Sequence, residues 1–361
     1  MRHKITFIFT FLMTVAPLCA QQVSGIVYDK KSQEPMEGVT IYFDGTTKGT
    51  ITNINGVFKI DINKELQTSL VISFLGYKKL IHKDYSDDFV YKYYLEEEIS
   101  VLNEIYLSDN KTSSRKTDAL SSYENIWTRK QKMTEFKNHF LGVSKQAQSC
   151  KILNEDDIFL TYDKTSDKLI ASSKKPIRIL NKHLEYEIAY DLQDFEVQYV
   201  SHSTEGRVKT RYSPTTVYYA GTSFYKVLNN NPSNRIDKKR TKVYQGSVLH
   251  FMRAVYSNRL MDEGFKLFYE KQQVAPEHAI VVNETENPNL KEICFLKPEL
   301  EVVDASDSCS KLKPIEDACF FVDNFGNHSP IKAITFTGFI GNQRIGDALP
   351  LDYEPEFELK Q

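Results

Sequence analysis

From Val23 onward the chain alternates. Val23, Gly25 and Val27 fall on one side of an extended backbone, and Ser24, Ile26 and Tyr28 on the other. A polar turn follows at residues 29–33, and Pro35 and Gly38 bracket the entry to the apolar run Val39-Thr40-Ile41-Tyr42-Phe43. Asp44-Gly45 is a turn dipeptide, residues 49–52 read as a short strand, and residues 53–56 as a tight turn. Phe58 and Ile60 then share one face with Lys59 opposite. Residues 70–74 form a buried run that Gly76 breaks, Tyr77 opens the next strand, and residues 91–95 close the set. Strands this short, punctuated this often, predict a β-sandwich.

After Glu96-Glu97-Glu98 the pattern changes. Residues 108–117 are polar and charged, which fits a linker. Residues 118–139 have helical spacing: Leu120, Tyr123, Trp127 and Lys130 share one face, Ile126, Met133, Phe136 and Phe140 another, and Gly142 fits the helix end. Strand-like runs follow at 158–162, 168–171 and 177–179. Tyr186, Ile188, Tyr190 and Leu192, then Phe195, Val197 and Tyr199, alternate with polar residues. Residues 217–219 precede a turn predicted at Ala220-Gly221. A second helix is predicted over 247–257, with Ser247 as N-cap and Val248, Phe251, Met252 and Val255 on its apolar face. Residues 265–269, 293–296, 320–322 and 331–339 return to strand. Residues 118–361 therefore read as one α+β domain, mainly β, around one sheet system.

Residues 1–20 stand apart from this pattern. Arg2, His3 and Lys4 precede an apolar run at 5–16, and Leu18-Cys19-Ala20 precedes Gln21, so these residues are expected to be a signal peptide cleaved after Ala20. Lipidation at Cys19 is an alternative opposed by bulky Leu18, and an uncleaved anchor is a third. Later in the chain no apolar run reaches transmembrane length. Losing Arg2 and Lys4 takes the formal net charge from −2 to −4, which gives no bulk electrostatic case for nucleic acid. Export permits disulfides among Cys150, Cys294, Cys309 and Cys319. Three pairings are open. Cys309–Cys319 ranks first because the two bracket a polar loop, and free thiols are the alternative. No two cysteines have the close spacing of a zinc knuckle.

Four segments of the first region resemble a known family: Gly25-x-Val27-x-Asp29, Pro35-Met36-x-Gly38-Val39-x-Ile41, Gly49-Thr50-x-Thr52-Asn53-x-x-Gly56-x-Phe58 and Ile72-Ser73-Phe74-x-Gly76-Tyr77. They resemble the carboxypeptidase-regulatory-like domain of Bacteroidetes envelope proteins, with Asn53 in place of the more usual Asp. The resemblance implies a seven-stranded, transthyretin-like sandwich over residues 22–107, and it does not imply peptidase activity. The same domain precedes TonB-dependent importers, and residues 102–107 resemble its exit segment there. The roughly 240 residues that follow are expected to be too few for an importer barrel at about 10 residues per strand plus turns. More loosely, Phe140-Leu141-Gly142, Cys150-x-Ile152-Leu153-Asn154, Tyr244-x-Gly246-Ser247-x-x-His250-Phe251-x-Arg253-Ala254 and Gln343-Arg344-Ile345-Gly346-Asp347-x-Leu349-Pro350-x-x-Tyr353-x-Pro355 resemble the C-terminal part of exported proteins with this domain first. That likeness implies domain order and an envelope setting. It transfers no catalytic residue.

Candidate chemistry is sparse. His202-Ser203-Thr204-Glu205 with distant His328 matches the H-x-x-E…H zinc-ligand order of metallocarboxypeptidases. A catalytic glutamate should follow the last ligand, and Glu354, Glu356 and Glu358 lie outside any predicted core strand. His250 and Arg253 share the second helix but lack a third partner. Gly221-Thr222-Ser223 lacks the second glycine of a nucleophile elbow, and Ser172-x-x-Lys175 lacks its companion motifs. Arg235, Lys238, Lys239, Arg240 and Lys242 form a basic patch that reads by default as a solvated loop, with contact to an envelope phosphate as the lesser reading. Twenty-one Tyr and 22 Phe against one Trp suit strand cores.

The expectation is thus a non-enzymatic periplasmic or outer-membrane-associated docking or binding protein. It has no catalytic, cofactor or metal residue, and its partner is an envelope protein or a glycan or peptide ligand. An envelope hydrolase using His202, Glu205, His250 or His328 is the alternative, and a carbohydrate-binding module with Trp127 as reporter is the third. Deleting residues 22–107 is expected to leave the second domain folded.

Overall fold

A computed structural model describes residues 21–63, 65–98, 127–202, 211–315 and 319–355. The expected signal peptide, the exit segment, the linker, residues 118–126 and Glu205 lie outside the described residues. The chain is mostly strand, with few helices. Among the described residues no helix is long and apolar enough to cross a membrane.

Seven strands form the N-terminal sandwich: β1 (Gln22–Asp29), β2 (Thr40–Phe43), β3 (Gly49–Ile51), β4 (Val57–Asp61), β5 (Leu70–Ser73), β6 (Leu80–His82) and β7 (Val90–Leu95). A three-stranded sheet in the order β4-β1-β7 faces a four-stranded sheet in the order β3-β2-β5-β6. The alternation seen in the sequence is the packing: Val23, Val27, Phe58 and Ile60 face Ile41, Phe43, Leu70 and Ile72 across the core. Asn53 makes the turn expected of it, its Oδ1 accepting from Asn55 and Val57 N–H groups at 3.0 Å. Buried Thr52 joins two loops, donating to Met36 O at 2.6 Å and accepting from Val39 N at 2.9 Å.

The second core begins with α1 (Arg129–Phe140), whose N-cap Thr128 forms a capping box with Gln131. The short α2 (Lys145–Gln148) is capped by Ser144. Six strands follow: β8 (Lys151–Ile152), β9 (Ile158–Asp163), β10 (Lys168–Ser173), β11 (Ile177–Asn181), β12 (Tyr186–His202) and β13 (Arg211–Val227). β12 and β13 make a long hairpin, and β11 and β10 pair with successive parts of β12. Phe136 and Phe140 lie on this sheet, the Phe136 and Phe195 rings 4.8 Å apart. The expected turn at Ala220-Gly221 is not there. Gly221 lies inside β13, opposite a register shift at Leu192/Asp194, where a Cβ would strike the Asp191 carbonyl. The glycine serves a close crossing of backbones at a bulge.

The basic patch is not a loop. Residues 234–244 form α3 (Asn234–Tyr244), which buries Ile236, Arg240, Val243 and Tyr244. Three apolar residues among so many cations left the helical period faint in the sequence. The second predicted helix is α4 (Val248–Tyr256), with Ser247 as N-cap accepting from His250 N.

Nine strands follow α4: β14 (Lys266–Tyr269), β15 (Gln272–Val274), β16 (Ile280–Glu284), β17 (Leu290–Phe295), β18 (Leu300–Val303), β19 (Cys309–Pro314), β20 (Phe320–Asp323), β21 (His328–Ser329) and β22 (Ile334–Thr337). The strand expected over 331–339 is a single 3-10 turn (Ile331–Ala333), then β22, then α5 (Gly338–Asn342). Two sheets, β15-β14-β18-β19-β22 and β16-β17-β20-β21, enclose a third core around Phe251, Phe265 and Phe320. The single sheet system expected after the linker is therefore three sheets over two cores. The sheets also decide the cysteines. The Ile293–Phe320 register brings Cys294 beside Cys319, and these two form the disulfide. Cys309, on β19 of the other sheet, is free and exposed, and Cys150 is free and buried.

The sandwich is bonded to both other cores. Gly45 N donates to Ser223 O at 2.8 Å, Tyr225 N to Thr46 O at 2.9 Å, and Ser223 N to Asp44 Oδ1 at 2.7 Å, so the β2–β3 turn covers the free edge of β13. Lys79 pairs with Asp191 at 2.7 Å, largely out of solvent. Gln67 N donates to Asp323 Oδ2 at 2.9 Å, and Asn327 Nδ2 donates to Gln67 O at 3.0 Å. This corrects the picture of a separable module. Deleting it would leave β13 with an open edge and Asp323, which has no solvent exposure, without one of its donors.

Candidate functional site

The C-terminal segment after α5 runs back between the second and third cores and makes a cleft there. Arg253 on α4 holds it. Its guanidinium donates to Phe325 O at 3.1 Å, Tyr353 O at 2.9 Å and Leu351 O at 2.8 Å. Tyr244 and Tyr353 pack with ring centroids 5.9 Å apart, and Leu351 N donates to Gly45 O at 2.7 Å. On the other side Gly346 N donates to Leu141 O at 2.9 Å, and Asn181 Nδ2 donates to Gly346 O at 3.0 Å. A Cβ on Gly346 would fall 2.6 Å from Leu141 O, and one on Gly142 (φ +108°) would fall 3.1 Å from Asp347 Oδ2. These glycines let the two segments lie against each other.

Two adjoining cavities of about 510 and 300 Å³ result, sharing Val243, Gln343 and Asp347 as walls. α3 contributes Lys239 and Lys242 to the larger, with His183, Ser144 and Phe339 around it. The smaller is more apolar, walled by Val248, Leu249, Ile331, Leu349 and Leu351, with His328 and Arg344 at its side. Asp347 is buried between them and accepts from Ser144 Oγ at 2.6 Å. Burial pushes its carboxyl above the usual carboxylate range, against the pull of these hydrogen bonds and of Arg344. Burial holds the His328 imidazole down at about 4, so it is neutral at physiological pH. Size and lining suit a small ligand or a peptide segment.

The cleft holds no assembled nucleophile and base among the described residues. Ser144 faces a carboxylate without a histidine between them. The Cys150 thiol is pushed up to about 12, chiefly by burial, and is inert. His250 has both ring nitrogens engaged: Gly246 N donates to Nδ1 at 3.1 Å, and Nε2 lies 3.3 Å from Glu263 Oε2. With Nδ1 accepting, the proton sits on Nε2, and burial lowers the ring's pKa. His250 and Arg253 thus anchor α4 to the segments around it.

The zinc order of the sequence is not assembled. His202 sits exposed near the tip of the β12–β13 hairpin. Tyr219, which walls the smaller cavity with His328, pairs with Phe195, seven residues back from His202, or about 23 Å at ~3.3 Å per residue. Ligands of one ion cannot lie that far apart. Among the described residues the one group of three metal-competent side chains is Glu292, Cys294 and Cys319, and its sulfurs are in the disulfide. Ser172 and Lys175 lie on and just beyond β10, where Lys175 pairs with Asp157. Trp127 packs against Tyr162, Tyr199 and Tyr212 at 4.6, 5.0 and 5.4 Å, so its ring is engaged in the second core.

Residues 23–107 match the family model of the CarboxypepD_reg-like domain. The match covers the sandwich, as its motifs led one to expect, and stops before the cleft. No curated protein matches the chain. The regulatory-like domain therefore accounts for the β-rich N-terminal part, and what the cleft does must be argued from its own residues. Sequence reading missed Lys239, Lys242, Ser144 and Asp347 as one group. The signal was present in the Gly142 and Gly346 segments, but nothing in their order along the chain says that they touch.

Proposed function

We propose that the protein is a non-enzymatic binding protein of the cell envelope, periplasmic or associated with the outer membrane, that holds its ligand or partner in the cleft between the second and third cores. One observation carries the reading. The segments 140–142, 244–254 and 343–353, far apart in sequence, meet around one preformed cleft without a nucleophile–base pair among the described residues. The basic and apolar pattern of residues 1–20 supports export, and the regulatory-like domain supports a binding or regulatory role over catalysis. In this reading the sandwich is a fixed buttress for the cleft, since Gly45 and Thr47 bond to Leu351 and Asp352 of the segment that walls it.

The test is cross-linking of the tagged full-length protein in native envelopes, beside the variant Ile331→Arg. Ile331 is 58% exposed at the cleft mouth, so the substitution fills the entrance without disturbing a core. A stoichiometric partner lost in the variant is expected. The same partners in both proteins would sink the assignment of the cleft.

A further inference from the structure

The cleft's charges are one-sided. Lys239 and Lys242 on α3 and Arg344 on the C-terminal segment line it, and the acid on its walls is buried Asp347, already bonded to Ser144. Lys242 is exposed and has no ion-pair partner among the described residues. Lys239 reaches no nearer acceptor than His183 O, at 3.4 Å. Arg344 donates to the carbonyls of Gly341 and Gln343, and it attracts Asp347 without forming an ion pair within 4 Å among the described residues. Between these cations, Asn342 and Gln343 present side-chain amides without a hydrogen-bond partner among the described residues.

We propose that the cleft takes an extended peptide segment bearing acidic side chains beside apolar ones. The inference rests on the cleft being the binding site and names the ligand class. Acidic side chains would meet Lys239, Lys242 and Arg344, and an apolar one would enter the smaller cavity against Val248 and Leu349. A carboxamide is both donor and acceptor, which is what a peptide group requires and an acyl chain cannot satisfy. An anionic amphiphile such as a fatty acid has one carboxylate, whereas the cations stand in both cavities, Lys239 and Lys242 in the larger and Arg344 beside the smaller, so several acidic side chains on one segment can meet them together. This favours the peptide.

The experiment measures binding of a fluorescein-labelled hexapeptide of alternating Glu and Leu to the full-length protein. Its Lys-Leu counterpart and dodecanoate serve as rivals, with Ile331→Trp, which fills the entrance without adding charge, and Lys242→Glu as variants. The Glu-Leu peptide should bind and the Lys-Leu peptide should not. Ile331→Trp should abolish binding, and Lys242→Glu should weaken it roughly tenfold, as should added salt. Equal binding of the two peptides, or undiminished binding to Lys242→Glu, would overturn the acidic-peptide inference. So would dodecanoate binding that Ile331→Trp abolishes when the Glu-Leu peptide does not bind, although that result would leave the cleft standing as a site. Failure of every probe to respond to Ile331→Trp would overturn both.

Discussion

Replacing Arg253 by alanine should release the segment that walls the cleft while leaving the cores folded. The guanidinium makes three charge-assisted hydrogen bonds, at 3.1, 2.9 and 2.8 Å, to Phe325 O, Tyr353 O and Leu351 O. Hydrogen bonds to a charged group are worth about 1.5–3 kcal/mol each. Their gross sum is offset by about 2 kcal/mol of side-chain entropy regained on truncation. Water also reaches Leu351 and Tyr353, which are half-buried. A net loss of about 2–3 kcal/mol in the free energy of local opening follows, which is ~30- to 150-fold faster amide exchange. The amides to watch are Leu351, bonded to Gly45 O, and Tyr353, bonded to Pro350 O, with the β11–β12 ladder as internal control. Arg253→Lys, a point charge without the fork, should fall between. Exchange at Leu351 changed by less than about threefold, or a uniform rise across the ladder, would refute the claim that Arg253 holds this segment locally.

Two further outcomes are expected. Asp44 is half-buried at the sandwich interface, and desolvation lifts its carboxyl to about 6, against the pull of the Ser223 N–H and Lys79. An acid raised in the fold stabilises when protonated, so its contribution is full below about 4 and is lost as pH rises through about 6. Wild-type stability measured against Asp44→Asn by denaturant unfolding should therefore fall by up to about 3 kcal/mol across that window. A flat difference would show that Asp44 is not desolvated there. Non-reducing peptide mapping should recover Cys294 linked to Cys319, with Cys309 open to alkylation in the folded protein and Cys150 only after unfolding; a Cys309–Cys319 peptide would contradict the sheet partition.

Much of the fold was legible because it is local. Alternation with period two marked β1 and β12, since a strand half-buried in a sheet must alternate whatever lies above it. The N-cap Ser247 and the apolar stripe beyond it marked α4 for the same reason. α3 escaped because its buried face is three apolar residues and the stem of Arg240, and Gly221 was misread because a close backbone crossing and a turn want the same residue. The regulatory-like domain was legible from order and spacing alone.

Contacts between distant segments were not. That Asp44 would meet Ser223, Arg253 the carbonyls of residues 351 and 353, and Lys242 the same cleft as Asp347 follows from how three cores pack. No periodicity carries that information, because each of these side chains satisfies its own element equally well with or without its partner. The same holds for the cysteines: polar residues between Cys309 and Cys319 said where a loop runs, while the division of β19 and β20 between two sheets decided that Cys319 pairs with Cys294. Sequence determined the elements and the first domain. Tertiary structure decided the cleft, because a cleft is a property of surfaces that only packing brings together.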